Sequence, residues 1–263
     1  MNVQKYISVW KALSYAELQQ AFINRWTNIL FLFGKLLRLG MSLLFLLIVK
    51  NTVSSFAGYT SDQIVIFFLT YQIIDVLGQT LYRGVYIFSN QVRSGEFDFT
   101  LVKPISSLFQ SLVGKPDFND ALFLIPTVGI SLYLLTTLNI TITATSFLLY
   151  LALLINSFLI ITAMHVLVLV VGILTTEVDG VIWMYRDLSA LGRFPISIYM
   201  QPLRFALFFI IPVGMMITVP AEVLLNAAPT HSILLTSIVG ISFFFISLRL
   251  WKWSLKQYSS ASS

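Results

Sequence analysis

The apolar stretches of this sequence contain few side chains that could do chemistry, and three of those share a regular spacing. Asp75 lies between Gln72, three residues before it, and Gln79, four residues after it. These spacings place the three side chains on one face of a helix. An ionisable group in apolar surroundings should face a cavity or a partner. Two interpretations are open: a residue of a substrate pathway or proton relay, and a structural contact between helices, which we favour.

Asn156 and His165 are polar residues of a second apolar stretch, where a histidine raises the question of metal binding or catalysis. The other histidine of the chain is His231, which the predicted topology places on the opposite side of the membrane. The sequence contains no cysteine. We therefore predict no metal site. Asn156 and His165 are expected to form hydrogen bonds between helices instead.

The highest concentration of charge lies in VRSGEFDFTLVKP, residues 92–104. Gly95 predicts a bend, and Pro104 ends any helix because the residue before proline avoids the α region. Phe97 and Phe99 could anchor in a pocket of a partner protein, and the charges would set the register. Composition alone supports a solvated loop equally well. Both signs of charge are present, carried by Arg93, Glu96, Asp98 and Lys103.

The composition indicates which class of protein must position these residues. Asp, Glu, Lys and Arg make up 10% of the 263 residues, and hydrophobic residues make up 57%. A soluble domain carries about 25% charged residues. The apolar residues come in long blocks, whereas transmembrane strands would show alternation. The sequence therefore predicts an all-α integral membrane protein. No cleavable signal peptide is recognised, so the first span is expected to direct insertion.

Six membrane spans are predicted. The uninterrupted apolar part of the first, residues 39–49, is too short to cross a bilayer at about 1.5 Å per residue. That span must therefore also include either Lys35 and Arg38 or Lys50, with the charged ends reaching an interface. The predicted spans are residues 36–56, 64–81, 121–138, 144–174, 203–219 and 233–250.

Residues 4–22 are predicted to form an amphipathic helix that lies in the membrane interface. Tyr6, Val9, Trp10 and Leu13 recur at helical spacing, with charged residues on the other faces. This pattern is typical of a helix that lies on a membrane rather than across it. The alternative is an ordinary surface helix packed on the spans.

The positions of the cations predict that both termini are cytoplasmic. With six spans and a cytoplasmic N-terminus, all of the 16 Lys and Arg residues except Lys50 fall on the inner side, as the positive-inside rule requires. The net charge of +5 is thus explained without nucleic acid. Residues 1–263 then form a single transmembrane domain. Its longer connections are residues 83–120 and 175–202 inside, the second with an interfacial helix at 178–191, and a re-entrant or capping element at 220–231 outside.

The charged stretch resembles part of a known family. Type-2 ABC exporter permeases carry an arginine-x-glycine, an apolar–acidic pair and a leucine-x-lysine-proline, a pattern similar to RSGEFD at residues 93–98 and LVKP at residues 101–104. The branch concerned is bacterial and is encoded beside a separate ATPase. RFPISIY at residues 193–199 and IPV at residues 211–213, followed by Pro220, look like further motifs of this branch. The motifs follow the expected order over nearly the whole chain.

The resemblance implies a permease that works as a dimer, with each half contacting an ATPase that closes on ATP. Residues 83–120 would be the coupling segment that transmits this closure to the spans. The branch often pairs two different permeases, so a heterodimer is favoured over a homodimer. The implied location is the bacterial cell membrane, inner or plasma. The implied coupling residues are Arg93, Gly95, Glu96, Phe97, Asp98, Leu101, Lys103 and Pro104.

ATP hydrolysis is assigned to a partner chain. The sequence contains no G-x-x-x-x-G-K-[ST] phosphate loop, and VGKP at residues 113–116 has only its glycine and lysine. We therefore expect a transport subunit that is not an enzyme and binds no cofactor, with Mg-ATP held by the ATPase. The expected partners are that ATPase, a second permease and membrane lipids, but no nucleic acid.

Three other functions remain as alternatives. A secondary transporter would need several ionisable groups near the midplane and internal repeats, and we find only Asp75 and no convincing repeat. An intramembrane enzyme would need a cluster of catalytic groups on one side, which two histidines and 11 acids lying mostly in loops do not supply. The third is a membrane scaffold without transport. The cargo is not specified, although apolar spans suit a lipid, a drug or another amphiphile.

Overall fold

The computed structural model describes residues 3–52, 55–56 and 58–259, most of which lie in helices. In chain order the first half contains α1 (Val3–Ile23), α2 (Arg25–Thr52), the antiparallel strands β1 (Ser55–Phe56) and β2 (Tyr59–Thr60), α3 (Ser61–Leu81), a 3-10 turn (Arg83–Ile87), α4 (Phe88–Arg93), α5 (Glu96–Leu101), α6 (Ser107–Val113) and α7 (Phe118–Thr137). The second half contains α8 (Ala144–Thr175), α9 (Asp179–Ala190), 3-10 turns at Leu191–Arg193 and Ile196–Ile198, α10 (Leu203–Phe205) continued by a π-helix (Ala206–Ile210), a π-helix (Gly214–Thr218) continued by α11 (Val219–Leu224), and α12 (Thr230–Ser254).

Within the described residues, 5 helices are long and apolar enough to cross a membrane: α2, α3, α7, α8 and α12. A sixth crossing exists only if the pair Leu203–Ile210 and Gly214–Leu224, which meet at 72°, counts as one span. The predicted span at 203–219 is therefore not one continuous helix. Ile211 is extended, and the following Pro212 has no N–H to continue the ladder. The fold is all-helical with five or six candidate spans.

Side-chain caps set where three of these helices begin. Thr60 Oγ1 accepts a hydrogen bond from the backbone N–H of Gln63 at 3.3 Å, and Gln63 Oε1 accepts one from the N–H of Thr60 at 3.0 Å. This reciprocal pair satisfies two donors that the first turn of α3 would otherwise leave free. Thr143 and Ser146 form the same arrangement at α8. Asp117 accepts from two N–H groups of the first turn of α7.

α2 extends further than the predicted first span. The prediction required the span to include either Lys35 and Arg38 or Lys50. α2 contains all three residues. Lys50 Nζ lies 2.7 Å from Asp62 Oδ1 at the start of α3. Of the predicted span 36–56, residues 53 and 54 lie outside the described residues.

The buried core lies around α3 and α8. In the most apolar window of each helix, 67% of α3 and 61% of α8 is buried, against 11% of α2 and 17% of α12. Phe67 on α3 and Ile160 and Leu169 on α8 are among the largest fully buried side chains. The helix predicted at residues 4–22 is present as α1, and none of its side chains is buried. α1, α2 and α12 thus surround the core with exposed apolar surface.

α9 turns back along α8 and enters the bundle. Tyr185 on α9 lies edge-on to His165 on α8, with ring centroids 5.3 Å apart. Arg193, just beyond α9, lies 5.0 Å above the ring of Tyr71 in the middle of α3. The helix predicted at residues 178–191 therefore packs one face, with Ile182, Tyr185 and Ser189 buried, against the spans. Its other face, with Trp183 and Met184, is exposed, and its predicted interfacial position stays a prediction.

Contacts between distant parts of the chain define two ends of the bundle. At the elbow end, the segment between α3 and α7 (residues 82–117, the elbow) contacts α1, the turn after α8 and the segment after α12. At the hairpin end, next to β1 and β2, Tyr59 donates to Glu222 at 2.8 Å. Burial and this bond raise the pKa of Tyr59, and the nearby charge of Arg204 opposes that rise. Arg204 thus belongs to the hairpin end with Lys50, not with the cations at the elbow end as predicted.

Candidate functional site

The elbow is compact because its first turn packs directly on its last helix. Gly84 lies in the 3-10 turn against the backbone of Ser111 and Leu112 in α6. A Cβ atom at position 84 would overlap the carbonyl oxygen of Ser111. A glycine permits this approach because it has no side chain. The position of α6 is therefore fixed relative to the end of α3.

A sharp bend joins α4 to α5 at Gly95, as the sequence predicts. Its φ angle is 75°, in the left-handed region that glycine enters at little cost. α5 begins immediately after this bend. Since residues two apart lie on nearly opposite faces of a helix, Phe97 and Phe99 point in different directions.

Phe97 points into the chain. It is 0% exposed, and its ring lies edge-on to Phe88 at 5.0 Å and to Tyr258 at 5.2 Å. Trp251 on α12 lies 6.3 Å away. The predicted role of Phe97 as a docking anchor does not fit this position, because its own chain already surrounds the ring. It joins the elbow to α12 instead.

The opposite face of α5 is open. Phe99 is 70% exposed, and the following Leu101 and Val102 are 39% and 81% exposed. Glu96 and Lys103 flank them and are also exposed. Exposed apolar side chains rimmed by charge are typical of surfaces that bind another protein. The exposed side chains within residues 96–103, which are Glu96, Phe99, Leu101, Val102 and Lys103, form the candidate coupling surface.

Ion pairs and hydrogen bonds attach the elbow to distant segments. Arg93 Nη1 donates to Glu177 Oε1 at 2.9 Å, which joins the end of α4 to the turn between α8 and α9. Lys5 Nζ donates to the carbonyl oxygen of Pro104 at 2.6 Å, which joins the elbow to α1. The predicted coupling residues Arg93 and Pro104 therefore hold the elbow in place within the chain.

Asp98 receives a hydrogen bond from beyond α12. The hydroxyl of Tyr258 donates to Asp98 Oδ1 at 2.9 Å. Burial, together with this bond to a carboxylate, raises the pKa of Tyr258 to about 12. The phenol therefore keeps its proton at neutral pH and remains a donor to Asp98.

Gln72, Asp75 and Gln79 line one cavity of about 240 Å³ between α2, α3, α7 and α9. The shared face predicted from their spacing is thus confirmed. Gln79 also accepts a hydrogen bond from Tyr86 at 3.1 Å. The sequence analysis missed the other charged groups of this cavity, which are Lys35, Arg38, Arg83, Arg186 and Asp120.

Some of these charges are paired and others are not. Lys35 forms an ion pair with Asp120, and Arg83 Nε lies 3.5 Å from Asp117 Oδ2 beside the cavity. Asp75 forms no hydrogen bond or ion pair with any residue that the structure describes. The structural contact that the sequence favoured for Asp75 is therefore not observed in this conformation.

Arg38 and Arg186 have no carboxylate partner in the described part of the chain. The guanidinium of Arg186 lies over the ring of Trp183 at 5.0 Å and near that of Tyr86 at 5.8 Å. Aromatic faces stabilise a cation without neutralising it. The cavity is therefore a polar site within the spans with an excess of positive charge.

Asn156 and His165 have structural contacts. Asn156 Nδ2 donates to the carbonyl oxygen of Thr236 on α12 at 2.9 Å, as predicted for a bond between helices. His165 Nδ1 instead contacts the carbonyl oxygen of Ile161 on its own helix at 2.8 Å, and its ring packs between aromatic residues. Among the described residues no three His, Asp or Glu side chains group in a way that could hold a metal.

Comparison with known proteins identifies the family. The family model described as "ABC-2 family transporter protein" matches residues 36–262. This chain belongs to the ABC-2 transporter family. The resemblance to type-2 ABC permeases is thereby confirmed. No curated protein and no solved structure matches the chain.

Membership of the ABC-2 family has direct consequences. Its members are membrane components of transporters, not enzymes themselves, and associate in general with an ABC ATPase. With five or six candidate spans, this ABC-2 protein is a multi-pass membrane protein. The candidate coupling surface lies within the matched residues, whereas α1 lies before them.

The sequence contained part of the information needed to predict the cations that line the cavity. Lys35, Arg38 and Ser42 are spaced as one face of α2 and all line the cavity. The sequence did not predict Arg186 as a cavity residue, because the charges of α9 indicate an interfacial helix. That these faces meet Asp75 depends on helix packing, which residue spacing does not encode.

Proposed function

We propose that this ABC-2 protein is the permease subunit of an ATP-driven exporter. It forms half of the translocation pathway and couples to a separate ATPase through the elbow. The supporting observation is the arrangement of α5, where Phe99 and Val102 are open at the elbow end while Phe97 packs against α12. One helix thus has a face for a partner and a face that holds it to the spans.

Force on the coupling surface reaches the spans by three connections. Phe97 contacts Trp251 on α12, and Arg93 binds Glu177 after α8. The 3-10 turn before α4 follows α3 directly. A movement of the ATPase would therefore displace the ends of three helices together. ATP can shift the permease between two states only through contacts that differ between them.

The proposed orientation places the elbow end in the cytoplasm of a bacterial cell, with the inner or plasma membrane as its location. Lys5, Arg93 and Lys103 lie at the elbow end, and Lys50 and Arg204 lie near the hairpin end. Cytoplasmic segments carry an excess of Lys and Arg. Contacts to α1 and to the segment after α12 put both terminal segments at the elbow end, so both are proposed to be cytoplasmic.

The proposed assembly contains a second permease and an ATPase that holds Mg-ATP. The exposed faces of α2 and α12 offer surface to the second permease and to lipid. A heterodimer is favoured because the resembling branch often pairs two different permeases. On this proposal the chain itself binds no cofactor.

The decisive experiment is co-purification of an ATPase with the tagged chain from its own cells, with ATP turnover measured in nanodiscs. Wild type should retain the ATPase, and Phe99→Asp should lose it because a carboxylate cannot enter an apolar pocket. Phe99→Leu keeps an apolar side chain and serves as the matched control. Absence of an ATPase from the intact wild-type oligomer, or full ATPase retention and turnover by Phe99→Asp, would falsify the proposal.

A secondary transporter that uses Asp75 is the second candidate, because this carboxylate faces a cavity without a partner. Such a transporter would lose activity on Asp75→Asn and would depend on an ion gradient. The ATP-driven permease would instead continue when the gradient is collapsed. Transport by the purified complex with and without an ionophore separates the two.

A further inference from the structure

The cavity around Asp75 contains more positive charge than its own residues neutralise. Lys35 and Arg83 each have a carboxylate nearby, Asp120 and Asp117. Arg38 and Arg186 have none, and Asp75 is bound to neither of them. Two arginines thus share a partly enclosed space with one carboxylate that forms no ion pair. Such an excess of positive charge favours an anion.

The N–H donors of Arg186 form no hydrogen bond or ion pair with any residue that the structure describes. Its guanidinium carbon lies 5.0 Å from the centre of the Trp183 ring and 5.8 Å from that of Tyr86. A guanidinium whose donors are unused can bind two oxygens of one phosphate or carboxylate.

A shallow, open apolar groove continues from the cavity along the exposed side of α2. It is lined by residues of α2 alone, which are Thr27, Leu30, Phe31 and Gly34 together with Lys35 and Arg38. Phe31, Lys35 and Arg38 line the cavity as well. The charged and apolar spaces are therefore continuous through Arg38. A ligand with an anionic head and an apolar chain matches both parts at once.

We propose that this site binds an acidic lipid of the membrane. The phosphate of the headgroup contacts Arg38 and Arg186 in the cavity, and an acyl chain lies in the groove on α2. Gln72 and Gln79 supply further polar groups around the headgroup. The site concerns binding alone and is independent of whether the chain couples to an ATPase.

Native mass spectrometry of the purified chain, titrated with phosphatidylglycerol or phosphatidylcholine, tests the proposal. Phosphatidylglycerol should bind more tightly. Arg38→Gln and Arg186→Gln should each weaken its affinity about fivefold, the effect of removing one cation near a headgroup. Arg38→Lys should retain most of the affinity. Arg249→Gln is the control, because Arg249 is an exposed cation on α12 outside the site.

Two outcomes would overturn the proposal. Equal affinity of both glutamine variants and wild type for phosphatidylglycerol would show that the cavity does not hold the headgroup. Displacement of the lipid by millimolar inorganic phosphate would show that the site binds free anions and that the groove contributes nothing. The unfolding temperature of Arg38→Gln should equal that of wild type, because Arg38 is exposed. Weaker lipid binding by this variant would then reflect the loss of the arginine and not a loss of folded protein.

Discussion

In the elbow, Arg93, Asp98 and Pro104 each bind a group in a distant segment of the chain. In the cavity beside α3, Asp75 and Arg38 have no such partner among the described residues. Both regions are charged and both contain residues that the sequence singles out. Their charges nevertheless have different consequences, because paired groups fix a structure and unpaired groups remain free to bind.

The same contrast exists within the elbow itself. Most residues of the family-like pattern hold α5 in position, while the surface left open consists mainly of Phe99 and Val102. A motif residue at a binding segment can therefore be there to orient the surface and not to touch the partner. Substitutions on the two faces of α5 should separate stability from partner binding.

Phe97→Ala should have the largest effect on stability. Removing a fully buried aromatic ring leaves a cavity and costs about 3–5 kcal/mol. The unfolding temperature in detergent should fall markedly, and ATPase binding should be lost along with the structure of the elbow. Thermal unfolding monitored by tryptophan fluorescence measures this change.

Phe99→Ala is the matched variant on the open face. Its stability should change by less than about 0.5 kcal/mol, as for most exposed positions, while ATPase binding weakens. If both alanine variants lowered the unfolding temperature equally, the division of α5 into two faces would be wrong.

Gly84→Ala should have the second-largest effect. The added methyl group would overlap the backbone carbonyl of Ser111, and overpacking of this kind costs about 1–3 kcal/mol. α6 would have to move away from the end of α3. Gly129→Ala on α7 is the control, since nothing lies within 4 Å of a Cβ atom there, and it should be neutral or slightly stabilising. Equal unfolding temperatures for the two variants would contradict the close packing of the elbow.

The bond between Tyr258 and Asp98 gives a smaller, pH-dependent effect. Burial and this bond raise the pKa of Tyr258 from its ordinary value of 10.0 to about 12. A raised folded-state pKa stabilises the protein below pH 10 and loses that contribution as the pH rises through about 12. Tyr258→Phe should cost about 1 kcal/mol at neutral pH, and this cost should shrink as the pH rises toward 12. Thermal unfolding of the variant and of wild type across this pH range measures the difference, and equal unfolding temperatures at neutral pH would show that the bond contributes no stability.

The sequence located the long helices well where apolar length and caps agree. Residues 64–81 and 144–174 were predicted, and α3 and α8 are Ser61–Leu81 and Ala144–Thr175. Thr60 and Thr143 cap these helices directly before their apolar runs. Their ends are thus set by local chemistry, which sequence analysis can identify.

The missed features depend on tertiary contacts. α9 carries Asp179, Arg186 and Asp187, so its hydropathy indicates a surface, yet Arg186 is accommodated by aromatic rings from two elements. The bend at Ile211 and Pro212 divides a run that is apolar throughout. In the cavity, the face of α3 follows from spacing, but the cations come from α2, α9 and the 3-10 turn. Only their packing brings these groups together.

Asp75→Asn should have the smallest effect on stability and so gives the sharpest test of the contrast between paired and unpaired charge. Asp75 has no hydrogen-bond or ion-pair partner in the described chain to lose. The free energy of unfolding should therefore change by less than about 0.5 kcal/mol. Removing its negative charge should nevertheless strengthen the binding of an acidic lipid about fivefold, since one carboxylate no longer opposes the arginines. Lipid titration by native mass spectrometry measures the second effect. A large loss of stability would instead mean that Asp75 is a structural contact, and the cavity would then differ little from the elbow.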